Sequence, residues 1–185
     1  MKVIEYILLS GALTLPMMYT LRNSAEKVPL RLSRGLAVAL LLALEQSLLA
    51  LLGLFLGNML RLGMPEYDKL VFLGILLMVA IRMVLSVTGK KQKKEPLVFD
   101  ISRWGTVLLM GIATGTNAFL TGLGLGFIAL ISADALSVAI PLFLLALIFS
   151  YWGVMLGRQQ RPVHPRRWVL LCVVALLVLT LKVAL

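Results

Sequence analysis

A glutamate, Glu45, stands near the middle of the apolar run at residues 35–57, followed by Gln46 and Ser47, with no basic residue near it in sequence. An ionisable side chain at the centre of a membrane helix costs about 2.5–3.5 kcal/mol on insertion scales, so it should face a partner, a cavity or a pathway. A second polar group lies in the stretch GIATGTNAFLTGLGLGF, residues 111–127, which holds Thr114, Thr116, Asn117 and Thr121. Thr114, Asn117 and Thr121 are spaced three and four apart, which stacks them on one helical face. Thr14 lies beside Pro16 near the N-terminus, where an interior proline frees a carbonyl and kinks the helix. A carboxylate with amide, hydroxyl and carbonyl oxygens is a ligand set for a hard cation. The same groups serve equally as interhelical hydrogen bonds of about 0.6 kcal/mol each.

Helices must position these groups, and the composition says in what solvent. The chain has 185 residues, of which 61% are hydrophobic and 14% charged, and its mean hydropathy is +1.00. Soluble domains carry about 25% charged residues. Apolar runs of about twenty residues span a bilayer core, so the chain reads as an all-α integral membrane protein. Six spans are expected near 2–21, 35–57, 68–88, 104–131, 135–156 and 167–185. The span 104–131 is long and is expected to tilt, to break at its glycines or to leave the membrane. The first span lacks a small-residue cleavage site and reads as a retained helix.

The segments after the first, third and fifth spans hold 13 of the 18 basic residues. By the positive-inside rule these loops are cytoplasmic and both termini lie outside. The net charge of +10 is then a topology signal rather than a nucleic-acid footprint, and no nucleic-acid partner is expected. The run KKQKKEP, residues 90–96, reads as a solvated inner loop that can touch anionic lipid heads. Arg82 lies inside the third span, where it either snorkels to the interface or pairs with Glu45. The single cysteine, Cys172, excludes an intramolecular disulfide and reads as packing. Met17, Met18, Met110 and Met155 read as packing rather than a soft-metal path, and His164, without a second His or Cys, is assigned no metal. No nucleophile–base set and no phosphate loop are present, so no enzyme and no resident cofactor are expected.

Shifting the chain on itself by 100 residues aligns Gly11 and Thr14 with Gly111 and Thr114, Gly53 and Gly57 with Gly153 and Gly157, and Pro65 with Pro165. Three spans per half make an inverted repeat, with a substrate site expected near mid-membrane where the halves meet. The halves are residues 1–88 and 104–185, joined by a basic cytoplasmic linker at 89–103. Gly53, Gly57, Gly153 and Gly157, with Gly122 and Gly126, read as close helix contacts.

The stretch PEYDKLVFLGILLMVAIRMVL (65–85), the stretch 111–127 and the acidic residue of the second span together resemble the bacterial manganese efflux pump family. This family belongs to the lysine-exporter type superfamily. The resemblance runs over nearly the whole chain. It implies a bacterial inner-membrane transporter that exports manganese, with an aspartate in the first helix of each half. The sequence departs at both: LTLPMMY (13–19) sets Pro16 at the first aspartate position, with Thr14 on the preceding serine, and ATGTNAF (113–119) sets Asn117 at the second. Pairing Pro16 with Asn117 requires an offset of 101, one more than the repeat. Glu45 is retained. The expected function is therefore efflux of a small cation, Mn2+ or another, with Glu45 as key ligand, Asn117, Gln46 and the threonines completing the cage, and a homodimer as a possible assembly. The alternatives are a transporter of a non-divalent solute and a transport-inactive structural or regulatory membrane partner.

Overall fold

A computed structural model describes residues 3–28, 30–63, 65–88, 98–128, 132–160, 172–174, 176 and 178. Five α-helices account for nearly all of them: α1 Val3–Lys27, α2 Leu32–Arg61, α3 Asp68–Thr88, α4 Trp104–Phe127 and α5 Ser132–Arg158. A single 3-10 turn, Pro65–Tyr67, leads into α3, and residues 172–174, 176 and 178 are also helical. The described residues contain no strand. Most of the basic linker (89–97), His164 and most of the sixth expected span lie outside the described residues.

Three helical segments are long and apolar enough to cross a membrane: Leu32–Arg61, Trp104–Phe127 and Ala135–Arg158. The chain is thus an all-helical membrane protein. Helices α1 and α3, of 25 and 21 residues, have the length but carry more charge, including Glu5 and Arg22 in α1 and Asp68, Lys69 and Arg82 in α3. Arg82 is exposed on α3. The 104–131 segment resolves into one unbroken helix that ends at Phe127, so its glycines do not interrupt it.

Those glycines bring backbones together instead. Helix α4 packs along α2, α5 along α1, α2 also meets α5, and α3 rests against α4. At the α2–α4 seam a methyl group on Gly53 would sit 2.1 Å from the Phe119 carbonyl oxygen, and one on Gly57 would sit 2.1 Å from that of Leu123. From the other side, a methyl group on Gly122 would fall 2.1 Å from the Ala50 carbonyl oxygen, and one on Gly126 would fall 2.4 Å from that of Leu54. The α1–α5 seam uses glycines on α5 alone. A methyl group on Gly153 would sit 2.6 Å from the Met18 carbonyl oxygen, and one on Gly157 would sit 2.5 Å from that of Arg22. Helices do not attract one another hydrophobically in lipid, so contact this close, which no side chain could share, supplies the packing energy.

Apolar side chains form two clusters along the bundle. One gathers Leu9, Leu13, Ala50, Phe72, Leu76, Ala118 and Leu125, and the other Met17, Leu21, Val38, Leu42, Ile101, Val107 and Met110. Met17 and Met110 are fully buried, which supports packing as their role. At one end of the bundle the final linker residues are pinned to both α1 and α2. The Phe99 amide donates to Ser24 Oγ at 3.1 Å, Ile101 is buried, and Arg34 donates to the Ser102 carbonyl while stacking 5.6 Å over the Trp104 ring. The Ser102 hydroxyl and amide both donate to Asp100 and hold its carboxyl below the usual carboxylate range.

The glycine contacts give a direct test. Gly53→Leu or Gly57→Leu should abolish a monodisperse folded protein, because the blocking atoms are backbone and cannot move aside. Gly74, with open space around its Cα, should accept alanine with unchanged or higher stability, by up to about 1 kcal/mol from helix propensity. Size-exclusion profiles and thermal unfolding in detergent distinguish the two outcomes.

Candidate functional site

Glu45 lies on the flank of α2 that meets α4, and its side chain folds over Gly111. A methyl group placed on Gly111 would fall 1.4 Å from Glu45 Oε2. That oxygen is buried and has no hydrogen-bond partner among the described residues. Gly111 was aligned in the sequence only as part of the repeat, and nothing in its neighbourhood marked it as a seat for a carboxylate. That role emerges only from the α2–α4 register.

Gln46 points the other way, into the bundle, and is fully buried. Its Nε2 donates to Thr114 Oγ1 at 3.3 Å and to Met17 Sδ at 3.4 Å, so one amide ties α2 to α4 and α1. Ser150 on α5 also donates to Met17 Sδ, at 3.9 Å, and to the Ala146 carbonyl. Neither Met17 as an acceptor nor Ser150 was legible in the sequence, since a methionine and a serine in apolar helices carry no pattern of their own.

Three of the four candidate threonines return their protons to the helix backbone. Thr14 donates to the Ser10 carbonyl at 2.9 Å, Thr114 to that of Met110 at 2.8 Å, and Thr116 to that of Ile112 at 3.1 Å. Such bonds satisfy the hydroxyl donor and leave its oxygen free to accept. Thr116 sits off the stripe formed by Thr114, Asn117 and Thr121, as their spacing requires. Asn117 Oδ1 and Thr121 Oγ1 are buried and unpartnered among the described residues, as is Gln46 Oε1. Pro16 lies within α1, and its carbonyl accepts from Thr20 at 3.1 Å. Pro141 stands similarly inside α5.

The geometry therefore brings Gln46 to Thr114 and Met17, and Glu45 to Gly111. Asn117 lies six residues beyond Gly111, which is about 9 Å along α4 and about 120° around it. Among the described residues no three His, Cys, Asp or Glu side chains gather as a metal cluster. Glu45 is the only acidic residue in the three apolar spans.

Apolar helices long enough to cross a bilayer, packed on one another through glycine seams, define the class as polytopic helical membrane proteins. More specifically, residues 29–184 match the family model described as "Putative manganese efflux pump", and the chain belongs to that family. A protein of Wolinella succinogenes named "Putative manganese efflux pump MntP 1" is 27% identical over 157 residues, covering 84% of this chain and 85% of that protein. An MntP of Nitratidesulfovibrio vulgaris strain DP4 is 27% identical over 116 residues, covering 63% of this chain and 56% of the relative. No solved structure matches the chain.

Gly111→Ala should displace the Glu45 carboxylate while leaving the fold intact, because the colliding group is the mobile end of a side chain. Modification of Glu45 by a hydrophobic carbodiimide, followed by peptide mass spectrometry, should rise several-fold in this variant. An unchanged rate would mean that Gly111 does not set the carboxylate's position.

Proposed function

We propose that this protein is a secondary transporter of the bacterial inner membrane that exports a small cation, manganese or a relative of it, with Glu45 as the key ligand. The observation that carries the reading is the unpartnered Glu45 oxygen held against Gly111, in a chain of this family. A carboxylate kept in an apolar seam without a counter-charge is poised to take either a cation or a proton. One carboxylate with neutral oxygens gives a weaker divalent site than a site with several carboxylates, since ligand charge raises affinity for such ions. Binding at Glu45 and proton entry then compete for the same oxygen, which couples export to a proton gradient.

We read the architecture as a three-plus-three inverted repeat with both termini outside and the basic loops cytoplasmic. The glycine contacts support it. The glycines of α2 and α5 stand 100 residues apart, and the carbonyls they meet on α4 and α1 stand 101 apart. This double register favours Pro16 as the counterpart of Asn117. In such a repeat the two seams are equivalent hinges, and rocking one half against the other opens the site to alternate sides.

Manganese flux in proteoliposomes tests the reading. Wild type should carry Mn2+ and respond to an imposed pH gradient, and Glu45→Gln should lose at least about 90% of the flux, equivalent to a tenfold loss or about 1.4 kcal/mol. Flux unaffected by the mutation would remove Glu45 from the pathway. No flux from folded wild type would turn attention to a non-divalent solute or to a role as a membrane partner. In the same assay Asn117→Asp, which restores a second carboxylate, should lower the Mn2+ concentration needed for half-maximal flux.

A further inference from the structure

We infer that the strap of residues 99–103 is the inner gate of the transport pathway, with Ile101 as a plug that must lift out before an ion from the cytoplasm reaches Glu45. This rests on the reading of the chain as an exporter with its basic loops inside, and adds a moving part to it.

The plug is apolar and continuous with the site. Ile101 is 1% exposed and belongs to the same buried cluster as Leu21, Val38, Leu42, Val107 and Met110, against which Phe99 also packs. Leu42 carries that cluster up to the carboxylate. A methyl group on Gly111 would fall 3.1 Å from Leu42 Cδ2 and 1.4 Å from Glu45 Oε2. Gly111 stands about 10.5 Å along α4 from Trp104, where the strap ends. Apolar side chains therefore fill the column between Ile101 and Glu45, and an apolar constriction stops a hydrated ion by excluding its water.

The strap is braced within itself and tied lightly to its neighbours. The Asp100 carboxylate accepts from the Ser102 amide at 3.1 Å and from the Ser102 hydroxyl, and it pairs with Arg103 at 3.4 Å. The Arg103 amide also donates to the Asp100 carbonyl at 3.2 Å. These bonds stay intact if the segment moves as a unit. The ties outward are of another kind: the Phe99 amide on Ser24 Oγ of α1, and Arg34 of α2 on the Ser102 carbonyl and over the Trp104 ring. Ser24 donates separately to the Thr20 carbonyl at 2.9 Å, so releasing Phe99 leaves its proton satisfied. Both anchoring helices belong to the first half of the chain, and the strap runs into α4 of the second, so rocking of the halves acts on these ties. The α2–α4 seam allows it. Its backbone contacts at Gly53, Gly57, Gly122 and Gly126 all lie beyond Glu45 from the strap, whereas Gly111, nearer the strap, meets the side chains of Glu45 and Leu42.

Modification of Glu45 by a water-soluble carbodiimide and a polar amine, read by peptide mass spectrometry on the full chain in lipid nanodiscs, tests the gate without requiring transport. Ile101→Ser should raise the rate at least fivefold. Leu54→Ala, a comparable loss of packing in the other apolar cluster, should leave it unchanged. In Ser24→Cys/Phe99→Cys, with Cys172→Ser removing the native thiol, a short bis-methanethiosulfonate linker should fasten the strap. The fastened protein should lose at least fivefold in Glu45 modification and at least tenfold in Mn2+ flux in proteoliposomes, with both restored by reduction. The gate is overturned if Glu45 reacts equally fast with the strap fastened, free or carrying Ile101→Ser, if Leu54→Ala raises the rate as much, or if Mn2+ passes at full rate through the fastened protein. Should Ile101→Ser not fold, the fastened protein, which keeps Ile101, decides alone. Strap-dependent modification of Glu45 in a wild type that carries no Mn2+ would keep the gate and remove the manganese reading, which separates the two failures.

Discussion

Backbone-to-backbone contact across the α2–α4 seam is the constraint on which the rest of the molecule depends. Gly53 and Gly57 on one helix and Gly122 and Gly126 on the other let carbonyls pass where a methyl group would collide. That close approach sets the register of the two helices, and the register does the rest. It brings Glu45 over Gly111 and the Gln46 amide against Thr114. A single methyl group in the seam would move both polar contacts, because the helices are rigid over the few turns that separate them. The α1–α5 seam repeats the arrangement with glycines on one side only, and Gly157 there meets the Cβ of Ala25 as well as backbone.

Adjacent residues Glu45 and Gln46 divide the chemistry between them. Successive positions on a helix point about 100° apart, so one side chain reaches the flank of α4 and the other the centre of the bundle. The carboxylate keeps its charge option where a helix backbone lacks a Cβ to exclude it. The amide, by contrast, is committed to three helices at once. Neutral groups in such a position cost less to bury than charges do, which is why a polar stripe can persist on α4 between clusters built from leucine, methionine and alanine.

Much of this was legible in the residues. Length, hydropathy and the absence of charge marked α2, α4 and α5, and the G-x-x-x-G pairs named the helix contacts because small residues four apart admit few other roles in lipid. Glu45 stood out for the energetic reason that isolates it. The finer geometry was not legible. A six-residue step from Gly111 to Asn117 means nothing until the facing helix is known, and the cage imagined around Glu45 assumed a convergence that spacing alone does not impose. The contacts of Gly111 and Met17 were not legible because the first acts by lacking a side chain and the second by lending a sulfur lone pair to neighbours far away in sequence.

The order of the helices along the chain gives these seams a further meaning in time. The glycines of α2 meet a partner that is synthesised more than 60 residues later, and α1 meets α5 only after more than 120. At ordinary elongation rates of about 5–20 residues per second, α2 waits on the order of several seconds in the bilayer before α4 exists. Throughout that interval its bare glycine backbone, its carboxylate and its amide face lipid or the insertion machinery. The features that make the finished bundle close-packed therefore make the nascent one exposed, and the strap at Phe99–Trp104, which ties the entry of α4 to α1 and to Arg34 of α2, shortens the search that ends the exposure.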